Sequence, residues 1–194
     1  AMPEGLKWLE FFSRFKMSKR AEALGLLANP KRCLAVAGTH GKTTTSALLA
    51  HLMNGQPSGC RAFIGGILVG TQSNTVWSPN AEWTVVEADE FDRSFLHLHP
   101  THAAITSADP DHLDIYGDVA SFHEGFRAFT ERISGTLFLE ADVRIEGVTG
   151  KRYGVTTSRQ EAEAWHAAAT ALRIEDGWLT GDVWIGGGWH EDVR

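Results

Sequence analysis

The stretch AVAGTHGKTTTS, residues 35–46, places one lysine between a glycine and three threonines. The overlapping run CLAVAG (33–38) is typical of a buried parallel strand, and residues 43–53 have a helical pattern that ends at Asn54-Gly55. A loop between a buried strand and a helix presents free backbone N–H groups and the positive end of the helix dipole, which together favour phosphate binding. The stretch therefore predicts an α/β fold built around a phosphate-binding loop.

The residues of this loop suit a nucleotide phosphate and its metal ion. Gly38 and Gly41 allow the backbone to approach a ligand closely. Lys42 can reach bridging phosphate oxygens, and the Thr43 hydroxyl can bind Mg²⁺. The usual pattern G-x-x-x-x-G-K-[ST] is not satisfied, because Val36 occupies the position of its first glycine. An ordinary strand-to-helix turn is the alternative, but Gly-Lys-Thr-Thr at the start of a helix favours phosphate binding.

Further strands alternate with helices along the chain. WTVVE (83–87) and HAAITS (102–107) are apolar runs typical of buried strands, and a helical stripe of large apolar residues covers 119–133, just after Asp118. Strands that alternate with helices indicate a parallel sheet flanked by helices.

The two ends of the chain have different patterns. Residues 1–30 predict a helical lead-in, with one short amphipathic helix and a second helix over 19–28. The main domain is expected to cover 31–194. Within it, 134–194 is predicted to be a smaller, mostly β section packed against the first part, with Asp176-Gly177 as a hairpin turn.

The net charge of −6 is concentrated in one acidic segment, residues 82–118. This segment contains four histidines, one base, Arg93, and nine acids: Glu82, Glu87, Asp89, Glu90, Asp92, Asp109, Asp111, Asp114 and Asp118. Such a cluster disfavours nucleic-acid binding and suits hard cations, whereas its alternative interpretation is a solvated acidic face.

Glu87 is a candidate metal ligand because it ends the predicted strand 83–87. Ligands of open α/β sheets gather at the carboxyl edge of the strands, and a carboxylate held there lies opposite the loop threonine. The other acids of EADEFDRSF are interpreted as helix-capping groups, with Asp89 and Asp92 as the best examples.

His112 is the second candidate metal ligand. It follows the predicted strand 102–107 and lies between Asp111 and Asp114, whose carboxylates can orient its ring for metal binding. The remaining histidines have no comparable neighbours and are interpreted as structural or solvent-facing.

The composition argues against several other classes of protein. No apolar run approaches the roughly 20 residues that cross a bilayer, and the N-terminus lacks a signal-type apolar core, so we expect no membrane partner and a cytoplasmic location. Cys33 and Cys60 show neither a metal-binding spacing nor a disulfide framework. The guanine motif N-K-x-D of a GTPase switch does not occur.

These blocks resemble those of the Mur ligases, the ATP-dependent amino-acid ligases of peptidoglycan precursor synthesis. AVAGTHGKTTTS is similar to the family's own form of the P-loop, and GKT, EADE and DHLD follow one another in the family's order. VEADEFDRSFLHLHP and DPDHLDIYGD are most similar to the branch that joins L-alanine to UDP-N-acetylmuramic acid. The resemblance covers about residues 19–133 and is weak over 134–194.

The resemblance implies ATP and Mg²⁺ as cofactors. The reaction it implies is phosphorylation of the lactyl carboxylate of UDP-N-acetylmuramic acid by ATP, followed by attack of the amine of L-alanine on the acyl phosphate. The residues implied to bind ATP are Gly38, Thr39, His40, Gly41, Lys42, Thr43 and Thr44. The resemblance also implies catalytic roles for Lys42, Glu87 and His112, with Thr43 and Glu87 on one Mg²⁺ and His112 on a second.

Two features bear on the branch of the family. Several sister ligases hold the second Mg²⁺ with a carbamylated lysine, but this chain has no lysine between Lys42 and Lys151, which favours the alanine-adding branch or a peptide-recycling ligase. Ser107 stands where many relatives have asparagine. Further alternatives are a folylpolyglutamate synthase relative and a generic P-loop phosphotransferase.

The resemblance also implies a domain organisation. The family has an N-terminal UDP-binding domain and a C-terminal domain, and neither is expected within this chain. We therefore expect an isolated central domain that binds nucleotide weakly and is inactive alone; its oligomeric state is left open.

Overall fold

The computed structural model describes residues 9–12, 14–110 and 116–193. Its helices are α1 (Leu9–Phe12), α2 (Arg20–Ala28), α3 (Lys42–Asn54), a short 3₁₀ helix (Phe91–His97), α4 (Val119–Thr130) and α5 (Arg159–Ala164). Its strands are β1 (Arg32–Ala37), β2 (Arg61–Leu68), β3 (Ser73–Trp77), β4 (Trp83–Glu87), β5 (His102–Ile105), β6 (Leu137–Glu140), β7 (Lys151–Val155), β8 (Ala167–Glu175), β9 (Trp178–Ile185) and β10 (Gly188–Val193). None of the helices in these ranges is both long and apolar enough to cross a membrane.

The described strands form one sheet in the order β10-β9-β8-β7-β6-β5-β1-β4-β2-β3. From β8 across to β2, all neighbouring strands pair in parallel. Antiparallel pairs add β3 at one end and β9 and β10 at the other. The α/β fold with a parallel sheet is therefore confirmed, and β1, β4 and β5 lie side by side in its centre.

Two hydrophobic clusters cover opposite faces of the central strands. On one face, the ring of Phe95 stacks on that of Phe129 at 4.8 Å and contacts Phe126 edge-on at 5.3 Å, and all three side chains are fully buried. On the other face, α3 packs on β1, β2 and β4 around Ala50 and Val85. β1 and β4, two of the apolar runs predicted as buried strands, therefore have both faces covered near the site, as is typical of parallel strands.

Two strands were not predicted. β2 contains Gly65-Gly66, and β3 has the sequence SNTVW, so neither has the continuous apolar run that identified β1 and β4. Parallel pairing of β2 with β4 and antiparallel pairing of β3 with β2 place both in the sheet. Tertiary packing therefore overrides weak local strand propensity in this region.

The last third of the chain is rich in strands, as predicted, and it extends the main sheet. β6 pairs in parallel with β5, and the parallel order continues through β7 to β8, so this section is joined edge to edge to the central strands. The predicted hairpin turn joins β8 to β9, with Glu175 paired with Trp178 and positive φ angles at Asp176 and Gly177. That pair of left-handed residues matches the twist of a two-residue hairpin.

Candidate active site

The described candidate residues lie at the carboxyl ends of three adjacent strands, β5, β1 and β4. Val36 of β1 pairs with Glu87 of β4, and Ala37 of β1 pairs with Ile105 of β5. The loop after β1 therefore opens between the segments that follow β4 and β5. In open α/β sheets this edge is where ligands bind.

Residues 38–41 turn the chain from β1 into α3, and the turn requires a glycine at each end. Gly38 has a φ of 131°, and a Cβ atom there would lie 2.8 Å from the backbone nitrogen of Ser107. Gly41 has a φ of 80° and is the N-cap of α3. Side chains at these positions would be strained, and at residue 38 would also collide with the neighbouring segment. The turn brings the start of α3, with the N–H groups that have no partner within a helix, directly behind the loop.

The residues that follow β5 hold the loop in place. The Ser107 hydroxyl oxygen accepts a hydrogen bond from the His40 backbone N–H at 2.7 Å and lies 2.9 Å from the Thr39 hydroxyl oxygen. The Thr106 hydroxyl lies within hydrogen-bond distance of two carbonyl oxygens, those of Ala37 and His40. Ser107 thus has a defined structural task, which is to anchor the loop.

The ammonium group of Lys42 is turned back over the loop. Its Nζ donates to the carbonyl oxygen of Gly38 at 2.6 Å and to Oε1 of Glu90 at 2.9 Å. The interpretation of Glu90 as a capping acid is wrong, because its side chain makes no cap hydrogen bond and pairs with Lys42. The two residues meet only in the folded chain, so no local sequence pattern identifies the pair.

Thr43 and Glu87 face each other between α3 and β4. The Thr43 hydroxyl donates to Oε1 of Glu87 at 2.8 Å, and the backbone N–H of Gly65 donates to Oε2 at 2.6 Å. A Cβ atom at residue 65 would lie 2.7 Å from Oε1 of Glu87, and one at Gly66 would lie 2.9 Å from the Thr43 methyl group. The two glycines that obscured β2 in the sequence therefore make room for this pair.

The Thr43 and Glu87 pair offers hard oxygen donors that suit Mg²⁺. Mg²⁺ is octahedral and usually keeps several waters, so one hydroxyl and one carboxylate can serve as its protein ligands beside a phosphate. Within residues 9–12, 14–110 and 116–193, no group of three or more His, Cys, Asp or Glu side chains is placed to hold a metal. The other predicted ligand, His112, lies outside the described residues.

Two further acids of the segment EADEFDRSF have structural partners. Oδ1 of Asp89 accepts a hydrogen bond from the Phe91 backbone N–H at 3.1 Å, which agrees with its interpretation as a capping group. The capping interpretation is wrong for Asp92, whose carboxylate forms an exposed ion pair at 3.2 Å with Lys19, the residue before α2. Of these two contacts, the Lys19–Asp92 pair joins the segment after β4 to the chain before β1.

Comparison with known proteins identifies the family. The sequence model of the family described as the Mur ligase middle domain matches residues 36–184 of this chain. The chain is 46% identical over 191 residues to the UDP-N-acetylmuramate–L-alanine ligase of Parabacteroides distasonis, and the match covers 94% of this chain and 40% of that protein. The chain therefore belongs to the Mur ligase family and contains its middle domain.

Two solved structures share the fold. The UDP-N-acetylmuramate:L-alanyl-gamma-D-glutamyl-meso-diaminopimelate ligase of Neisseria meningitides has a TM-score of 0.75 at 20% identity, over 97% of this chain and 63% of that one. The MurF ligase of Thermotoga maritima in complex with ADP has a TM-score of 0.61 at 11% identity, over 91% of this chain and 44% of that one. At these identities the likeness concerns the fold, and the chain spans only 40% of the length of its Parabacteroides relative.

The anchoring role of Ser107 can be tested with an inorganic ligand. We expect Ser107→Ala to weaken pyrophosphate binding about 10-fold, because the loop loses a hydrogen bond of about 1 kcal/mol and becomes more costly to order. Titration calorimetry measures the affinity, and Ser107→Thr, which keeps the hydroxyl, should restore most of it. Ser73→Ala removes a hydroxyl on β3 and serves as the control. Equal affinity for Ser107→Ala and the unsubstituted chain would contradict the anchoring role.

Proposed function

We propose that the chain binds ATP and Mg²⁺ at the edge formed by β5, β1 and β4. We further propose that residues 31–194 are the central domain of a ligase that joins L-alanine to UDP-N-acetylmuramic acid. The observation that carries the proposal is the convergence of Lys42, Thr43 and Glu87 at that edge. The relative that is 46% identical bears the name of this activity, and the MurF structure of the same fold holds ADP.

The proposed reaction needs charge compensation more than it needs a protein nucleophile. The γ-phosphoryl group of ATP passes to the lactyl carboxylate and leaves ADP, and the amine of L-alanine then displaces phosphate from the acyl phosphate. Because triphosphate and carboxylate are both anions, a fixed cation at Lys42 helps them to approach each other. The backbone N–H groups of residues 39–44 are assigned to the β- and γ-phosphate oxygens, so the protein acts mainly by positioning.

Thr43 and Glu87 are assigned to one Mg²⁺ in this proposal. A Mg²⁺ ion held there supplies positive charge that offsets the charge on the phosphates. The N–H of Gly65 binds one oxygen of the Glu87 carboxylate and thereby directs the other toward Thr43. His112 is assigned to a second Mg²⁺ on the strength of the family resemblance.

The alternative substrate class is that of the peptide-recycling ligases. The ligase from Neisseria shares the fold, but at 20% identity it supports the fold alone. The alanine-adding relative is 46% identical to this chain over 191 aligned residues, which cover 94% of the chain, and this favours L-alanine as the amine substrate.

A cytoplasmic location is part of the proposal. Cys33 and Cys60 are both buried and free of disulfides, and burial raises the pKa of the Cys33 thiol to about 12. Protonated, buried thiols suit a reducing compartment, where no disulfide is needed for stability.

The substrate proposal is tested on the full-length protein in which this sequence occurs. We expect phosphate release that requires UDP-N-acetylmuramic acid and is fastest with L-alanine in a panel of amino acids and the recycled tripeptide. Coupled detection of phosphate measures it. Preference for the tripeptide, or for an amino acid other than L-alanine, glycine or L-serine, would contradict the branch assignment. Residues 1–194 alone should show no alanine-dependent release.

The metal assignment is tested by removing one charge at the site. We expect Glu87→Gln in the full-length protein to lower kcat at least 100-fold at saturating ATP and to raise the Mg²⁺ concentration needed for half-maximal rate. Steady-state rates over a Mg²⁺ titration measure both. Glu82→Gln is the matched control, because it makes the same change beside the opposite end of β4 and should leave both values unchanged. An unaltered Mg²⁺ dependence in Glu87→Gln would remove Glu87 from the metal site.

A further inference from the structure

A buried carboxylate without an assigned role lies beside Lys42. Both oxygens of Glu90 lie 2.9 Å from Nζ of Lys42: Oε1 accepts its hydrogen bond, and Oε2 is in ion-pair contact. The Glu90 side chain is 1% exposed and the Lys42 side chain is 14% exposed. This is therefore an ion pair largely withdrawn from water at the inner wall of the phosphate loop.

Burial makes this pair hard to separate. A carboxylate removed from water depends on its partner for stabilisation, and loss of that partner leaves an uncompensated buried charge. Among the described residues, Oε2 of Glu90 has no hydrogen-bond donor that could replace the lysine. Movement of the Lys42 ammonium away from Glu90 would thus be strongly unfavourable, and the ammonium is held where the structure shows it.

The backbone of Glu90 is fixed as well. Its carbonyl oxygen accepts hydrogen bonds from the Tyr116 hydroxyl at 2.6 Å and from the Arg93 N–H at 2.9 Å. Burial, followed by the negative charge of Glu90, raises the pKa of Tyr116 to about 12, so the hydroxyl keeps its proton at neutral pH. Asp92 and Arg93 both adopt left-handed backbone angles, a strained conformation that persists only when surrounding contacts enforce it. Two hydrogen bonds therefore hold the backbone from which the carboxylate extends.

The hydrogen-bonding capacity of the ammonium indicates how the pair can work. An ammonium group has three N–H donors. Lys42 uses one for the Gly38 carbonyl and one for Oε1 of Glu90, which leaves one for a further acceptor at the loop. A lysine can thus remain paired with Glu90 and still donate to a phosphate oxygen.

We propose that Glu90 is a positioning residue that holds Lys42 in its ion pair while the lysine binds the terminal phosphates of the nucleotide. This inference rests on the proposed function, because it concerns the same phosphate site. It assigns to Glu90 a part in catalysis that is separate from metal binding by Glu87. A lysine freed from Glu90 gains rotamer freedom and must be ordered again each time nucleotide binds.

Glu90→Gln tests the proposal, because it keeps the shape of the side chain and removes its charge. In the full-length protein we expect kcat to fall about 10-fold to 100-fold, with ADP affinity about 5-fold weaker and AMP affinity unchanged, since AMP has no phosphate at Lys42. Asp92→Asn is the matched control, because it removes an exposed acid from the same segment and should change each value less than about 2-fold. Thermal unfolding establishes that each variant is folded.

A double-mutant cycle shows whether Glu90 acts through Lys42. In a Lys42→Met background, Glu90→Gln should cause almost no further loss of ADP affinity or rate. An equal loss in both backgrounds would overturn the proposal. Tighter ADP binding by Glu90→Gln would also overturn it, because this result would show that Glu90 competes with phosphate for the lysine. Unchanged rate and affinity in a folded Glu90→Gln protein would overturn it as well.

Two further measurements apply if the Glu90→Gln protein does not fold or if the unsubstituted protein shows no activity. If Glu90→Gln does not fold, Tyr116→Phe is measured in its place. Loss of the hydroxyl that holds the Glu90 carbonyl should lower kcat by about 2-fold to 5-fold. An unchanged kcat would overturn the proposal. If the unsubstituted protein releases no phosphate with L-alanine, the proposed function has failed. The cycle on ADP and AMP affinity then still decides the role of Glu90.

Discussion

The site depends on the close packing of the Gly38 backbone against the segment that follows β5. There is no room for a Cβ atom at this position, and the φ of 131° excludes most other residues. Because the backbones approach so closely, the hydroxyls of Thr106 and Ser107 reach the loop directly. The loop is short, and α3 begins at Lys42, directly after Gly41. The strict P-loop pattern fails at Val36 because this residue lies within β1, and the loop begins only at Gly38.

The acidic segment, which dominates the charge of the sequence, divides into residues with different tasks. Glu87 extends from the end of β4 toward Thr43, whereas Glu90, three residues later, turns inward to Lys42. Asp118 lies away from both and is the N-cap of α4. There it accepts a hydrogen bond from the Ser121 N–H at 2.7 Å, and that bond lowers the pKa of the Asp118 carboxyl. Neither a solvated acidic face nor a single metal cluster describes the part of this segment that the structure covers, because position in the fold decides what each carboxylate does.

Much of the fold was predictable, because its central elements have strong local signals. The apolar runs of β1, β4 and β5 and the phenylalanine stripe of α4 are continuous, so the predicted bounds differ from the observed ones by only a few residues. β2 escaped prediction because Gly65 and Gly66, which accommodate Glu87 and Thr43, interrupt its pattern. The placement of Lys42, Thr43 and Glu87 at one edge was predictable, because each lies at or just after the carboxyl end of a predicted parallel strand. The contacts of Glu90 and Ser107 arise from tertiary packing, and no sequence pattern encodes them.

The proposed site brings the phosphates and the metal ion together at one edge of the sheet. Its most direct test is a crystal structure of the chain with Mg²⁺ and a non-hydrolysable ATP analogue. We predict the β- and γ-phosphates on the N–H groups of residues 39–44 and Mg²⁺ at about 2.1 Å from the oxygens of Thr43 and Glu87. Lys42 should contact a phosphate oxygen and Glu90 at once. Phosphates bound elsewhere, or Mg²⁺ bound without either side chain, would contradict the account.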